Sequence, residues 1–141
     1  MLKVILIMLF AYVLGSIPFA LIVTRLVKGV DIRDYGSGNT GATNAYRVMG
    51  FGMGVLVALL DIGKGFLAVK SAQLLFDGTP VLLLAVGIMA IAGHNWSLFL
   101  KFNGGRGVAT SVGVLISLAP KAILIVFLIW VVIVITTQYV S

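Results

Sequence analysis

Twenty consecutive residues, Val4 to Val23, carry no charge. A helix needs about 20 apolar residues to cross a hydrocarbon core of roughly 30 Å, so this run can span a membrane, with Pro18 as a candidate kink. It exceeds the apolar core of a secretory signal and lacks a small-residue cleavage site, so it reads as a span and not as a leader. Further apolar stretches follow: Met53 to Phe76, interrupted by Asp61, Lys64 and Lys70; Val81 to Leu100; and Val108 to Thr137. The last would make a single helix about 45 Å long, too long for a bilayer without strong tilt. Pro120 and Lys121 near its middle most simply mark a turn between two shorter helices, with one kinked helix as the alternative. The expectation is an all-α integral membrane protein with about five transmembrane helices, forming one polytopic domain over residues 1–141.

Two polar stretches, 25–50 and 101–107, interrupt this pattern. Lipid cannot satisfy their backbone groups, so they lie outside the hydrocarbon or are buried in protein. Ten Lys and Arg face four Asp, and no Glu is present. In a soluble chain that excess would suggest nucleic acid, but no basic helix stands apart from the apolar runs, so it reads as topology. Placed on one side, the two stretches hold Arg25, Lys28, Arg33, Arg47, Lys101 and Arg106, against Lys3 and Lys121 opposite. The positive-inside rule then puts the N-terminus outside and both stretches in the cytoplasm. Cysteine is absent, which excludes disulfides and thiolate chemistry, and one His with four Asp argues against a metal cluster.

The first polar stretch contains "YGSGNTGATNAYR". Gly36, Gly38 and Gly41 spell G-x-G-x-x-G with Asp61 20 residues beyond, a superficial dinucleotide fingerprint. That fingerprint requires a parallel sheet, and Asp61 instead lies in an apolar span. A Walker A loop also fails, because Lys64 in "DIGKGF" is followed by Gly65 and not by Ser or Thr. What remains is shared physics: glycines let successive N–H groups converge on phosphate oxygens, Ser37, Asn39, Thr43 and Asn44 add donors, and Arg47 adds a planar cation. A flexible linker is the alternative reading of this loop.

In the second stretch Gly104, Gly105, Arg106 and Gly107 precede a helix starting at Val108, the arrangement of an anion site at a helix N-terminus. Its alternative is an interfacial turn with Trp96 and Phe99 in the aromatic belt. His94, the sole histidine, reads either as an acid or base or as a structural residue. Asp61 and Lys64 form an i,i+3 pair inside a span, either bracing a loop or relaying protons.

Taken in order, "LGSIPFALIVTR", "YGSGNTGATNAYRVMG", "LLDIGKGF" and "GHNWSLFLKFNGGRGVATSVG" resemble the bacterial acyl-phosphate:glycerol-3-phosphate acyltransferase family along essentially the whole chain. The resemblance implies an inner-membrane enzyme with about seven helices and no metal or organic cofactor. Its partners are acyl phosphate, glycerol 3-phosphate and membrane lipid, and no nucleic acid. It would acylate the 1-hydroxyl of glycerol 3-phosphate, giving lysophosphatidic acid and phosphate. By matching position it implies catalytic roles for Ser37 and Arg47. Gly38, Asn39, Gly41, Thr43 and Asn44 would shape the donor-phosphate and oxyanion region, and Gly104, Gly105, Arg106 and Gly107 the glycerol-phosphate site. Gly36 and His94 complete the expected binding residues. The family usually has lysine where Arg106 and Asn103 stand here, which alters the phosphate geometry. Its third motif begins "YVS", where this sequence ends, so the resemblance leads to the expectation of a partial chain that is poorly active alone. The competing class is a small membrane anion transporter gated by the same loops.

Overall fold

The computed structural model describes residues 1–76 and 79–137. Gln138 to Ser141, where the third motif is expected to begin, lie outside the described residues. Among the described residues the chain forms seven α-helices and two single 3-10 turns: α1 Leu2–Ser16, α2 Phe19–Lys28, α3 Ala42–Met49, α4 Phe51–Leu75, α5 Pro80–Asn95, α6 Val108–Leu118 and α7 Pro120–Thr137, with the turns at Ile32–Asp34 and Leu98–Leu100.

The first apolar run is two helices broken at Ile17, which takes φ −59° and ψ 117°. Pro18 causes the break, since it lacks an N–H and disfavours helical geometry in the residue before it. Such a break frees carbonyls inside the membrane, and side chains from elsewhere satisfy them. Ser97 Oγ donates to the Ser16 carbonyl at 2.5 Å, and Lys64 Nζ donates to the Ile17 carbonyl at 2.9 Å. Tyr12 Oη adds a bond to the Trp96 carbonyl at 2.6 Å. The kink is therefore the point where α1, α4 and the end of α5 are locked together.

Arg25 and Lys28, expected in the polar stretch, form the last turn of α2, which stops at Gly29 in the left-handed region with φ 69°. Cations there complement the helix dipole, and glycine carries no Cβ penalty at such a cap. The polar stretch is thus no linker: it holds the end of α2, a 3-10 turn and α3.

Among the described residues, four segments are long and apolar enough to cross a membrane: Leu2–Lys28, Phe51–Leu75, Pro80–Leu100 and Pro120–Thr137. The fifth apolar segment, Val108–Leu118, has 11 residues, about 16 Å of helix at 1.5 Å per residue, or half of the hydrocarbon core. It separates from α7 at Ala119, just ahead of Pro120, as the restriction on a residue before proline requires. Helix α7 buries no residue against the rest of the described chain.

Lipid is as apolar as leucine, so helices in a membrane associate through close backbone approach. Two pairs show this. Gly15 of α1 lies on the Ala90 backbone of α5 while Gly93 of α5 lies on the Tyr12 carbonyl of α1. Gly65 of α4 meets the Thr110 carbonyl of α6 while Gly113 of α6 meets that of Ile62 in α4. No side chain fits at such contacts. Gly113→Leu is expected to destabilise the fold by at least the roughly 1–3 kcal/mol typical of overpacking, because the obstacle is backbone. A lowered thermal midpoint in detergent, or loss of the monodisperse peak, checks it.

Candidate active site

Local bonds fix the shape of the first loop. Asn44, 1% exposed, accepts from the Ser37 N–H through Oδ1 at 2.8 Å and donates through Nδ2 to the Tyr35 and Ile32 carbonyls at 3.0 and 3.3 Å. One side chain thus folds residues 32–37 back over the start of α3. Gly36 and Gly38 have φ of 60° and 72°, the left-handed turns that let the chain fold so tightly, and a Cβ on Gly36 would strike the Asn44 amide. Lys28 Nζ caps the far end of α3 by donating to the Val48 carbonyl at 2.6 Å.

At the loop's outer edge Asp31 accepts from Arg25 at 2.8 Å and from the Arg33 guanidinium at 2.7 and 2.9 Å. The hydrogen bond from the Arg33 side chain is the largest of the effects that hold the Asp31 carboxyl well below the usual carboxylate range. A depressed carboxyl contributes stability above its unfolded value, about 4, and loses it only as pH falls through the folded one. The brace is therefore intact throughout pH 5–8. Asp31→Asn is expected to raise amide exchange of residues 30–36 severalfold at neutral pH, whereas exchange in the parent, corrected for intrinsic rates, stays level between pH 8 and 5.

The second loop docks on the C-terminus of α5. Gly105 and Gly104 N–H groups donate to the His94 and Asn95 carbonyls, both at 3.0 Å. A Cβ on Gly104 would meet the His94 carbonyl, and one on Gly105 the His94 ring. Their glycine character therefore serves close packing, and their two N–H groups are taken up by α5 carbonyls. The free donors lie one step on, where Gly107 with φ 78° turns the chain into α6.

The loops meet at one cavity of about 360 Å³. Ser37, Asn39, Gly41, Thr43, Asn44 and Arg47 line it from the first loop and α3, and Arg106 and Gly107 from the second; His94 closes the α5 side. The first turns of α3 and α6 border it together, through Ala42 with Thr43 and Val108 with Ala109. The first intrahelical bonds of these helices come from Asn44 and Ser111, to the Gly41 and Gly107 carbonyls, so the preceding N–H groups remain for a ligand. Two positive helix ends and two guanidinium groups around one space make a strong anion site.

Gly38, Gly104 and Gly105 line an adjoining polar hollow of about 440 Å³ with Arg33 and Asn103, and share Ser37, Asn39 and Arg106 with the main cavity. Gly36 faces a third recess beside Lys28 and Tyr35. Arg33 and the backbone of Val108 and Ala109 are site groups the sequence reading did not pick out. Asp61, which the sequence left between bracing a loop and relaying protons, also reaches the cavity. Its signal was present: Asp61 and Lys64, 2.8 Å apart with side chains 2% and 1% exposed, are intramembrane charges, which are expensive and mark function or bracing.

The sequence profile of the family described as Glycerol-3-phosphate acyltransferase matches residues 5–141. The chain belongs to this family. The glycerol-3-phosphate acyltransferase 2 of Moorella thermoacetica is 53% identical over 131 residues, covering 93% of this chain and 66% of that protein. The glycerol-3-phosphate acyltransferase of Halalkalibacterium halodurans is 49% identical over 132 residues, covering 93% and 64%. Two crystal structures of PlsY, an integral membrane glycerol 3-phosphate acyltransferase, superpose with TM-scores of 0.85 and 0.83 at 41% identity. They are its glycerol 3-phosphate and lysophosphatidic acid forms, and the match covers 94% of this chain and 66% and 65% of theirs. The acyltransferase relatives are thus longer, and this chain spans slightly under two thirds of their length. Membership together with the apolar helices establishes a multi-pass membrane protein.

Proposed function

We propose that the protein transfers an acyl group from acyl phosphate to the 1-hydroxyl of glycerol 3-phosphate, releasing lysophosphatidic acid and inorganic phosphate. The observation that carries this reading is the single cavity on which both glycine loops, two helix N-termini and two arginines converge. The relatives' glycerol-3-phosphate names and the two ligand forms of PlsY supply the acceptor and product.

The chemistry needs little beyond positioning and charge. In the acyl phosphate the carbonyl is already activated, and phosphate leaves readily when its developing charge is met by cations and N–H donors. Arg47 from α3 and Arg106 from the second loop hold the two phosphates, and the N–H groups at the start of α3 and α6 meet the oxyanion and the departing phosphate. Ser37 Oγ supplies a further donor from the cavity wall. Holding donor and acceptor side by side provides much of the remaining acceleration. The excess of Arg and Lys around the loops supports a cytoplasmic site in a bacterial inner membrane with the N-terminus outside.

The donor is tested by incubating the purified protein with glycerol 3-phosphate and either palmitoyl phosphate or palmitoyl-CoA, and measuring lysophosphatidic acid by mass spectrometry. Product from palmitoyl phosphate alone is expected. Equal product from the thioester would refute the assigned donor, and glycerol phosphate flux into vesicles without any donor would favour a transporter.

A further inference from the structure

The transfer just described leaves one buried charge in the cavity wall without a task. Asp61 is 1% exposed and lines the cavity from within α4. Its Oδ1 pairs with Lys64 Nζ at 2.8 Å and lies 3.6 Å from His94 Nδ1, and a carboxylate so paired still has lone pairs to offer a ligand. Lys64 is itself engaged with the Ile17 carbonyl at the proline break, so the carboxylate is fixed in place by the backbone kink of a neighbouring span.

A carboxylate is out of place in a site built for phosphate. It repels phosphate oxygens, and as an anion it only accepts hydrogen bonds. The ligand group it suits is therefore a hydroxyl. Of the two substrates, only glycerol phosphate carries hydroxyls, one primary and one secondary. The primary hydroxyl attacks the donor carbonyl, where negative charge develops, and a carboxylate alongside would oppose that charge. The secondary hydroxyl has no such conflict.

We propose that Asp61 accepts a hydrogen bond from the secondary, non-reacting hydroxyl of the polyol phosphate, selecting a vicinal diol and orienting its primary hydroxyl toward the acyl donor. This rests on the glycerol-phosphate reading above. Asp61 is then a specificity residue that touches substrate, and Lys64 a positioning residue that acts through it. A buried hydrogen bond to a charged group, left unpaired when its partner is missing, corresponds to a preference of roughly 10- to 100-fold.

The test is the affinity of the purified protein, by titration calorimetry in detergent, for glycerol 3-phosphate and for 1,3-propanediol monophosphate. The second ligand keeps the phosphate and primary hydroxyl and lacks only the secondary one. The parent is expected to bind glycerol 3-phosphate about 10- to 100-fold tighter. In Asp61→Asn the preference should shrink to a few-fold. Because that variant leaves Lys64 without its counter-charge, the double variant Asp61→Leu with Lys64→Met is measured as well; replacing both partners by apolar groups of similar size leaves no buried charge. There the preference should vanish. A purely structural ion pair would weaken both ligands equally and leave their ratio unchanged, which would overturn the proposal, as would a parent that does not discriminate. A parent that binds neither ligand would instead remove the substrate reading on which the proposal stands.

Discussion

Arg47→Ala is expected to lower the glycerol phosphate-dependent rate by about 10²–10³-fold, the range seen when one donor is removed from a preorganised charge-stabilising site. The expectation follows from where the residue sits. Arg47 lies in the last turn of α3, so a helix whose first turn borders the cavity also presents its guanidinium there. A planar fork grips two phosphate oxygens at once, which an ammonium cannot do. Arg47→Lys should therefore recover only part of the loss, with KM for glycerol phosphate or donor remaining raised. Steady-state kinetics on the three proteins check this, and full rescue by lysine would show that only charge matters.

Asn44→Leu is expected to abolish activity with no change in the spans. Three backbone groups, the Ser37 N–H and the carbonyls of Ile32 and Tyr35, depend on this one amide. Each buried polar group left unpaired costs roughly 1–3 kcal/mol, so the loop has no reason to keep its turn. Ser37 and Asn39 would then leave the cavity wall. The check is amide exchange of residues 32–41, which should rise by orders of magnitude while that of α4 and α5 stays protected. Unchanged exchange would mean that the glycine turns alone hold the loop.

Much of this architecture is written in the apolar runs. Pro18 and Pro120 mark the breaks that the helices show, because a missing N–H acts locally and needs no tertiary context. Helix α3 was not legible. Its eight residues, Ala42–Met49, include Thr and Asn, which favour helices weakly, and it is held by contacts from outside the helix: Tyr46 against Gly54, and Lys28 on the Val48 carbonyl. The role of Gly104 and Gly105 was hidden for the same reason, since only the fold brings the α5 carbonyls to their N–H groups. Asp61 could be flagged as an intramembrane charge, but its place in the cavity wall depends on the helix packing around α4.

The central claim is that acyl transfer to glycerol phosphate occurs in the cavity where the two loops meet. The most direct measurement is phosphate release from palmitoyl phosphate by the purified protein, with and without glycerol 3-phosphate, alongside Ser37→Ala and Arg47→Ala. Release that requires glycerol 3-phosphate and is lost in both variants is the predicted result; release that ignores the acceptor, or survives both substitutions at the parent rate, would contradict it.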